Sequence, residues 1–368
     1  MKRFINILLA LTLIVVSAFS LVACDNGGGN GDKKGLLLKK YSGEDFYTVY
    51  GYVDEGEGIT SLDIGEAAGE KTVGRIATNA FGGNDTLTEI IVPTSVTEIA
   101  AGAFQKMKKL EKITLPFVGR TAVSDSYIFE TDEAEEKAID VERVFAHIFG
   151  TEEYSYGESI TVNYGAATAS FYIPATFKEV TIKPAGEYKI PMYAFASTVL
   201  LDKVNLEGNI TAIGQYAFQA CRDLSSINIP ASVTTIDKFA FDGCSYLTSL
   251  TFDEGSTLKE IKESAFEGVG VRELVIPSTV ETIGIRAFKE SMLQELTLPA
   301  ALTEIKPYAF FGCKYLSVLD VSALSTTAKP SLGASAFEDC KKLAFVASID
   351  NAFGVKGANY KSGTIELQ

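Results

Sequence analysis

The 368 residues are 46% hydrophobic and 22% charged, with 33 Lys and Arg against 47 Asp and Glu. Residues 1–23 hold only Lys2 and Arg3 of the basic set, so the rest of the chain carries 31 basic against 47 acidic groups, a balance of −16. That balance argues against nucleic acid or an anionic lipid surface as partner, since both need clustered Lys and Arg. A single histidine, His147, with no nucleophile motif beside it, leaves little room for Ser/His/Asp or Cys/His chemistry.

In chain order, residues 1–23 read as a targeting segment. Lys2 and Arg3 form a positive start, and the apolar run from Ile5 to Phe19 is too short to span a membrane comfortably. Leu21, Val22, Ala23 and Cys24 then resemble the lipobox of bacterial lipoproteins. The resemblance implies a lipoprotein signal peptide, with Cys24 as the first mature residue and its thiol carrying a diacylglycerol. The membrane is then a partner through this N-terminal lipid only. Residues 24–35 are Gly-rich and unable to pack, so they read as a flexible tether. Residues 36–116 read as an N-terminal cap and the first repeats. Strand-like stretches lie from Phe46 to Tyr52 and from Ile59 to Ile64.

The dipeptide Ala-Phe then recurs: Ala80-Phe81, Ala103-Phe104, Ala194-Phe195, Ala217-Phe218, Ala240-Phe241, Ala265-Phe266, Ala287-Phe288, Ala309-Phe310 and Ala336-Phe337. Neighbouring marks are 22 to 27 residues apart, except across residues 104–193, and a period of this size signals a solenoid. An aliphatic residue sits four before each Ala, as Ile213, Ile236 and Ile283 show, and another five or six after each Phe. The stretch Leu224, Ile227, Ile229, Pro230 alternates inward and outward, which is strand periodicity closed by a proline that cannot donate to the ladder. One helical turn is expected at each Ala-Phe. Stacked copies would bury one another's apolar faces in parallel ladders.

Residues 117–174 read as an insertion within the array, and 175–345 as the main array. Within the insertion, Ala134, Ala138, Val141, Phe145 and Ile148 fall at helical spacing with acidic residues opposite, which predicts an amphipathic helix over Glu130–Phe149. His147 is expected at its surface or half-packed. Residues 346–368, with Ala352-Phe353, read as a C-terminal cap.

The consensus, with Leu, Ile, Ile-Pro, Val, Ile-Gly, Ala-Phe and Cys at fixed spacing and best kept over Ile210–Pro230 and Val280–Pro299, resembles the BspA-type leucine-rich repeat. The resemblance covers most of the chain after residue 59. It implies a leucine-rich-repeat solenoid, mainly parallel β, with short helical turns and one inserted α+β segment. It also implies a bacterial cell-surface protein linked to adhesion, extracytoplasmic and without enzymatic activity.

Cys221, Cys244, Cys313 and Cys340 each follow a marker Phe by three residues, where other copies place Asn84, Met107, Thr198, Val269 and Ser291. A position that accepts such variety is a packing slot rather than a metal ligand. Buried reduced thiols are expected there, with Cys221–Cys244 and Cys313–Cys340 left open as stacked disulfide pairs. Glu130–Glu136 lacks the turn and alternating oxygens of a calcium loop. No metal or cofactor is expected. The outward strand positions are Ile91, Thr114, Asn205, Asn228, Thr251, Val275, Thr297, Asp320 and Ala347. Of these, Asn205, Asn228, Thr251 and Thr297 make a candidate ligand face. Tyr154 and Tyr156, of a cluster with Tyr164 and Tyr172, make a second. The expected function is binding of a host or neighbour-cell protein or glycan, and the alternative is capture of a small peptide or sugar as solute. A carboxylate enzyme using Glu152, Glu153 or Glu158 has no local support.

Overall fold

A computed structural model describes residues 35–54, 58–121, 141–164, 167–325 and 329–343. The expected signal segment, Cys24, nearly all of the expected tether, most of the expected amphipathic helix, Ala347 and the expected C-terminal cap lie outside these residues. The chain coils as a parallel β-solenoid of about eleven turns with very little helix. A regular turn carries a strand on each of two ladders and an Ala-Phe corner.

The broad ladder joins Ser61–Asp63, Glu89–Ile91, Lys112–Leu115, Glu179–Ile182, Lys203–Leu206, Ser226–Ile229 and Ser249–Phe252, all parallel. It resumes as a three-stranded sheet of Glu273–Val275, Glu295–Thr297 and Val318–Asp320. The central residue of each strand points inward in register: Leu62, Ile90, Ile113, Val180, Val204, Ile227 and Leu250, then Leu274, Leu296 and Leu319. The break between the two parts falls where the step between Ala-Phe marks changes from 25 residues to 22. A longer coil followed by a shorter one cannot keep every strand in ladder register.

The second ladder uses shorter strands. Gly35–Lys39 pairs antiparallel with Tyr47–Val53, which continues in parallel to Val73–Ile76 and Glu98–Ile99. Seven more strands run from Tyr188–Ile190 to Ser331–Leu332. There Ile190, Ile213, Ile236, Ile261, Ile283, Ile305 and Leu332 stack in register. The first hairpin covers what would otherwise be an open strand edge at the N-terminal end.

The Ala-Phe corner is not the helical turn that the sequence suggests. The residue before every Ala and the residue two after every Phe have positive φ, as in Tyr216 (56°) and Ala220 (57°) around Ala217-Phe218. Two left-handed residues bracketing the dipeptide stop a right-handed helix from forming. In seven of the nine marks the Phe N–H instead donates to the Ala carbonyl of the next coil, as from Phe218 to Ala240 at 2.7 Å. The rings then stack along the axis. Phe195 to Phe218 is 5.0 Å, Phe218 to Phe241 4.9 Å and Phe241 to Phe266 5.1 Å between centroids, with planes within 7° of parallel. Burying each ring contributes roughly 1.5–3 kcal/mol.

The apparent interruption between Phe104 and Ala194 leaves the broad ladder whole, because Lys112–Leu115 pairs directly with Glu179–Ile182. At the corner, the described end of the predicted helix forms two 3-10 turns, Val141–Arg143 and Phe145–Phe149. These splice into the ring stack. The Ile148 carbonyl takes the Phe104 N–H at 3.0 Å, as an Ala carbonyl would, and the Phe145 N–H donates to Ala194 O at 2.7 Å. Phe149 sits 6.5 Å from Phe104 and 5.4 Å from Phe145, and Phe145 5.2 Å from Phe195. The segment Phe145–Phe149 is therefore buried on every side, His147 included, rather than carrying one wet face. Gly119 makes the joint possible: its φ is 81°, and a Cβ there would meet the Arg143 backbone at 2.6 Å. A hairpin of Gly157–Tyr164 and Ala167–Pro174 precedes the return to the array, with Ile160, Val162, Phe171 and Ile173 buried.

Candidate functional site

The outward positions of the broad ladder form two columns. One runs Ser61, Glu89, Lys112, Glu179, Lys203, Ser226 and Ser249. The other, two residues on in each strand, runs Asp63, Ile91, Thr114, Thr181, Asn205, Asn228 and Thr251. Asn205, Asn228 and Thr251 come together at a depression of about 320 Å³. Lys203, Glu207, Ser226 and Ser249 complete its polar lining. All of its lining residues come from three neighbouring strands and the residue that follows one of them, with no opposing wall.

Hydrogen bonds fix the two amides. Asn205 Nδ2 donates to Glu179 Oε1 at 2.7 Å and to Thr181 Oγ1 at 3.1 Å. Asn228 Nδ2 donates to Asp253 Oδ1 at 2.7 Å, and its Oδ1 accepts from Thr251 Oγ1, also at 2.7 Å. A carboxylate only accepts, so each amide must turn its nitrogen toward the acid. Burial would raise the Glu179 carboxyl. The hydrogen bonds from Asn205 and Lys203, with the charges of Lys203 and Lys112, outweigh that and hold it below the ordinary Glu range. It is ionised, and a fixed acceptor, throughout the neutral range.

The other predicted residues fall elsewhere. Thr297 continues the same column beyond exposed Val275, on the three-stranded part and outside the depression. Tyr154 is partly buried, its O–H 3.5 Å from the Tyr172 carbonyl, and burial pushes its phenol up. Tyr156 is 52% exposed, with Lys108 Nζ 4.3 Å from its ring centroid. The Tyr pair thus belongs to the foot of the hairpin, apart from the amide column. Thr181, Lys203, Ser226 and Ser249 went unnamed in the sequence reading, although strand alternation marks each as outward.

The thiols are buried and free of disulfides. Each donates to the Phe carbonyl of the coil before it: Cys221 to Phe195 at 3.0 Å, Cys244 to Phe218 at 3.1 Å, Cys313 to Phe288 and Cys340 to Phe310 at 3.2 Å. Burial pushes the Cys221 thiol up to about 12. Among the described residues no group of three or more His, Cys, Asp or Glu is placed to hold a metal ion. No described helix is long and apolar enough to cross a membrane.

A stacked coil with an open polar sheet face defines a leucine-rich-repeat solenoid, a binding and scaffold class rather than a typically enzymatic one. The model of the BspA type leucine rich repeat region matches six copies over residues 60–148, 167–291 and 255–353, and the chain belongs to that family. Its members are typically surface-associated. Among solved structures, the chain is similar to a leucine-rich repeat protein from Bacteroides ovatus, at 19% identity over 86% of this chain and 82% of that one, TM-score 0.40. It is also similar to one from Eubacterium ventriosum, at 18% identity over 83% and 92%, TM-score 0.41. A leucine rich cell surface protein from Faecalibacterium prausnitzii is 18% identical over 86% and 97%, TM-score 0.30. No curated protein sequence matches the chain.

Proposed function

We propose that this is a lipid-anchored surface protein that binds a partner across the broad ladder. Cys24 carries the anchor, residues 24–35 the tether, and Asn205, Asn228 and Thr251 the centre of the binding face. The observation that carries the proposal is the pair of acid-oriented amides beside a polar depression. The segments 36–116, 117–174, 175–345 and 346–368 serve as entry cap with first repeats, insertion, main array and closing cap. Capture of a solute would call for a walled pocket, whereas this lining lies on one side only.

The test is retention. The full chain held on beads is expected to retain components of mucus, matrix or cell surface, and Asn228→Arg with Thr251→Arg to abolish that. Thr234→Arg, exposed just before strand Thr235–Ile236 of the other ladder, is expected to leave it intact. Equal loss with Thr234→Arg would move the site, and no retention by the unaltered chain would end the proposal. Palmitate labelling lost in Cys24→Ala tests the anchor separately.

A further inference from the structure

We infer that the amide column takes a neutral, extended, β-linked glycan lying along the solenoid axis, one sugar ring per coil. The inference rests on the reading of the broad ladder as the binding face, and deepens it. Five consecutive coils present an amide or hydroxyl at the same outward position: Thr114, Thr181, Asn205, Asn228 and Thr251.

Bonding along this column is broken in one place. Asn205 spends its nitrogen on Glu179 and Thr181, one coil back, and Asn228 spends its oxygen and one N–H on Thr251 and Asp253, one coil forward. Among the described residues no hydrogen bond joins Asn205 to Asn228. The Asn205 oxygen and the second Asn228 N–H are left as an acceptor and a donor in neighbouring coils, at the depression. Both amides are held by neighbouring coils, Asn205 from the one before and Asn228 from the one after, so little side-chain freedom is lost when a ligand meets them. An adjacent acceptor and donor suit hydroxyl groups, which do both.

Charge and spacing narrow the class. The flanking column neutralises itself, Glu179 lying 3.3 Å from Lys203 and 3.5 Å from Lys112, and Lys183 pairs with Glu207 at 3.1 Å. Asp253, bonded to the Asn228 amide, adds a carboxylate with no cation in reach among the described residues, so the strip disfavours an acidic ligand and offers an uncharged polyol only hydrogen-bonding groups. The coils repeat every 4.9–5.1 Å through this region, as the ring stack measures. An extended β-1,4-linked pyranose chain advances by close to one such step per ring, with alternate rings turned over, so its like groups return to the column at every second coil and stay in step. An extended peptide instead brings like groups to the same side only every ~6.6 Å, two residues at ~3.3 Å each, and falls out of step within two coils. No aromatic side chain lines the depression, so each ring is held by hydrogen bonds alone. Affinity must then accumulate over several rings.

The experiment is calorimetric titration of the full chain with cellobiose, cellopentaose, xylopentaose and β-1,4-mannopentaose, with maltopentaose as a curved control and a length-matched Gly-Ser peptide as the polypeptide control. At least one extended pentaose is expected to bind tenfold or more tightly than its disaccharide. Asn205→Ala with Asn228→Ala, both outward and away from the core, is expected to weaken it at least tenfold while the chain still melts well above the titration temperature. Failure of all three extended pentaoses, equal affinity for the disaccharide, equal binding by the double variant, or tighter binding of the peptide each overturns the inference. If surface retention depends on the column yet survives periodate destruction of surface glycans, the binding face stands and the glycan falls.

Discussion

At the scale of single residues, the corner is where backbone strain and sequence choice meet. Every Ala-Phe mark is followed, two residues after the Phe, by a left-handed residue: Gly at 83, 243, 268 and 312, but Lys106, Ser197, Ala220, Glu290 and Asp339 elsewhere. A side chain costs about 1 kcal/mol in that conformation. A Cβ on Gly243 would meet nothing closer than 3.9 Å, so strain alone is at stake there. Gly243→Ala is therefore expected to lose ~1 kcal/mol and Ala220→Gly to gain a similar amount, read as opposite shifts of the urea midpoint at constant slope. The thiols give a second prediction. Buried and donating to carbonyls, Cys221, Cys244, Cys313 and Cys340 are expected to resist iodoacetamide at pH 8 in the folded chain and to react once it is unfolded; burial also pushes the Cys221 and Cys244 thiols up. Their packing role was legible because Val269 and Met107 share the slot. The bond to the preceding coil was not, since it depends on which carbonyl faces the slot.

At the scale of elements, the strands were the most legible part. Alternation within Ser226–Ile229 and its siblings marks the inward aliphatics and the outward amides, and a proline marks the stop. The corner departs from the expected helical turn because Ala and Phe are compatible with one, while the deciding conformations belong to their neighbours, whose identities range from Tyr to Arg to Ser. Across the N-terminal strands of the second ladder runs a chain of ion pairs that no local pattern announces: Glu44 to Arg75 at 3.0 Å, Arg75 to Glu98 at 2.8 Å, Glu98 to Arg120 at 3.0 Å and Arg120 to Glu142 at 2.9 Å. Burial raises the Glu98 carboxyl, but its two arginines more than reverse this and hold it below the usual range. A depressed carboxylate stabilises the fold above the unfolded pKa and loses that contribution as pH falls through the folded one. Glu98→Gln is thus expected to cost ~1 kcal/mol at neutral pH. The difference in melting temperature from the unaltered chain should close below pH ~4.

At the scale of the whole molecule, stability is shared between neighbours rather than held in one centre. Loss of a ring in the regular stack, Phe241→Ala, is expected to cost ~3–5 kcal/mol and still leave one unfolding transition. Phe145→Ala removes the ring that links Phe149 to Phe195. It is expected to split the calorimetric melt into two transitions, and a single sharp melt in that variant would show that the broad ladder alone couples the two parts. The Ile148 and Phe149 substitution for Ala-Phe could not be found by matching the repeat, because the chain there replaces a corner without copying its spelling. That joint is sealed from described residues on both sides: the Phe104, Phe145, Phe149 and Phe195 ring contacts, and backbone hydrogen bonds that include Gly102 to His147 O at 3.1 Å and Arg120 to Glu142 O at 2.7 Å. Because those contacts all lie outside residues 122–140, foreign sequence grafted between Thr121 and Val141 is expected to leave the coil's melting temperature unchanged, which would make the joint a mount for displaying an epitope.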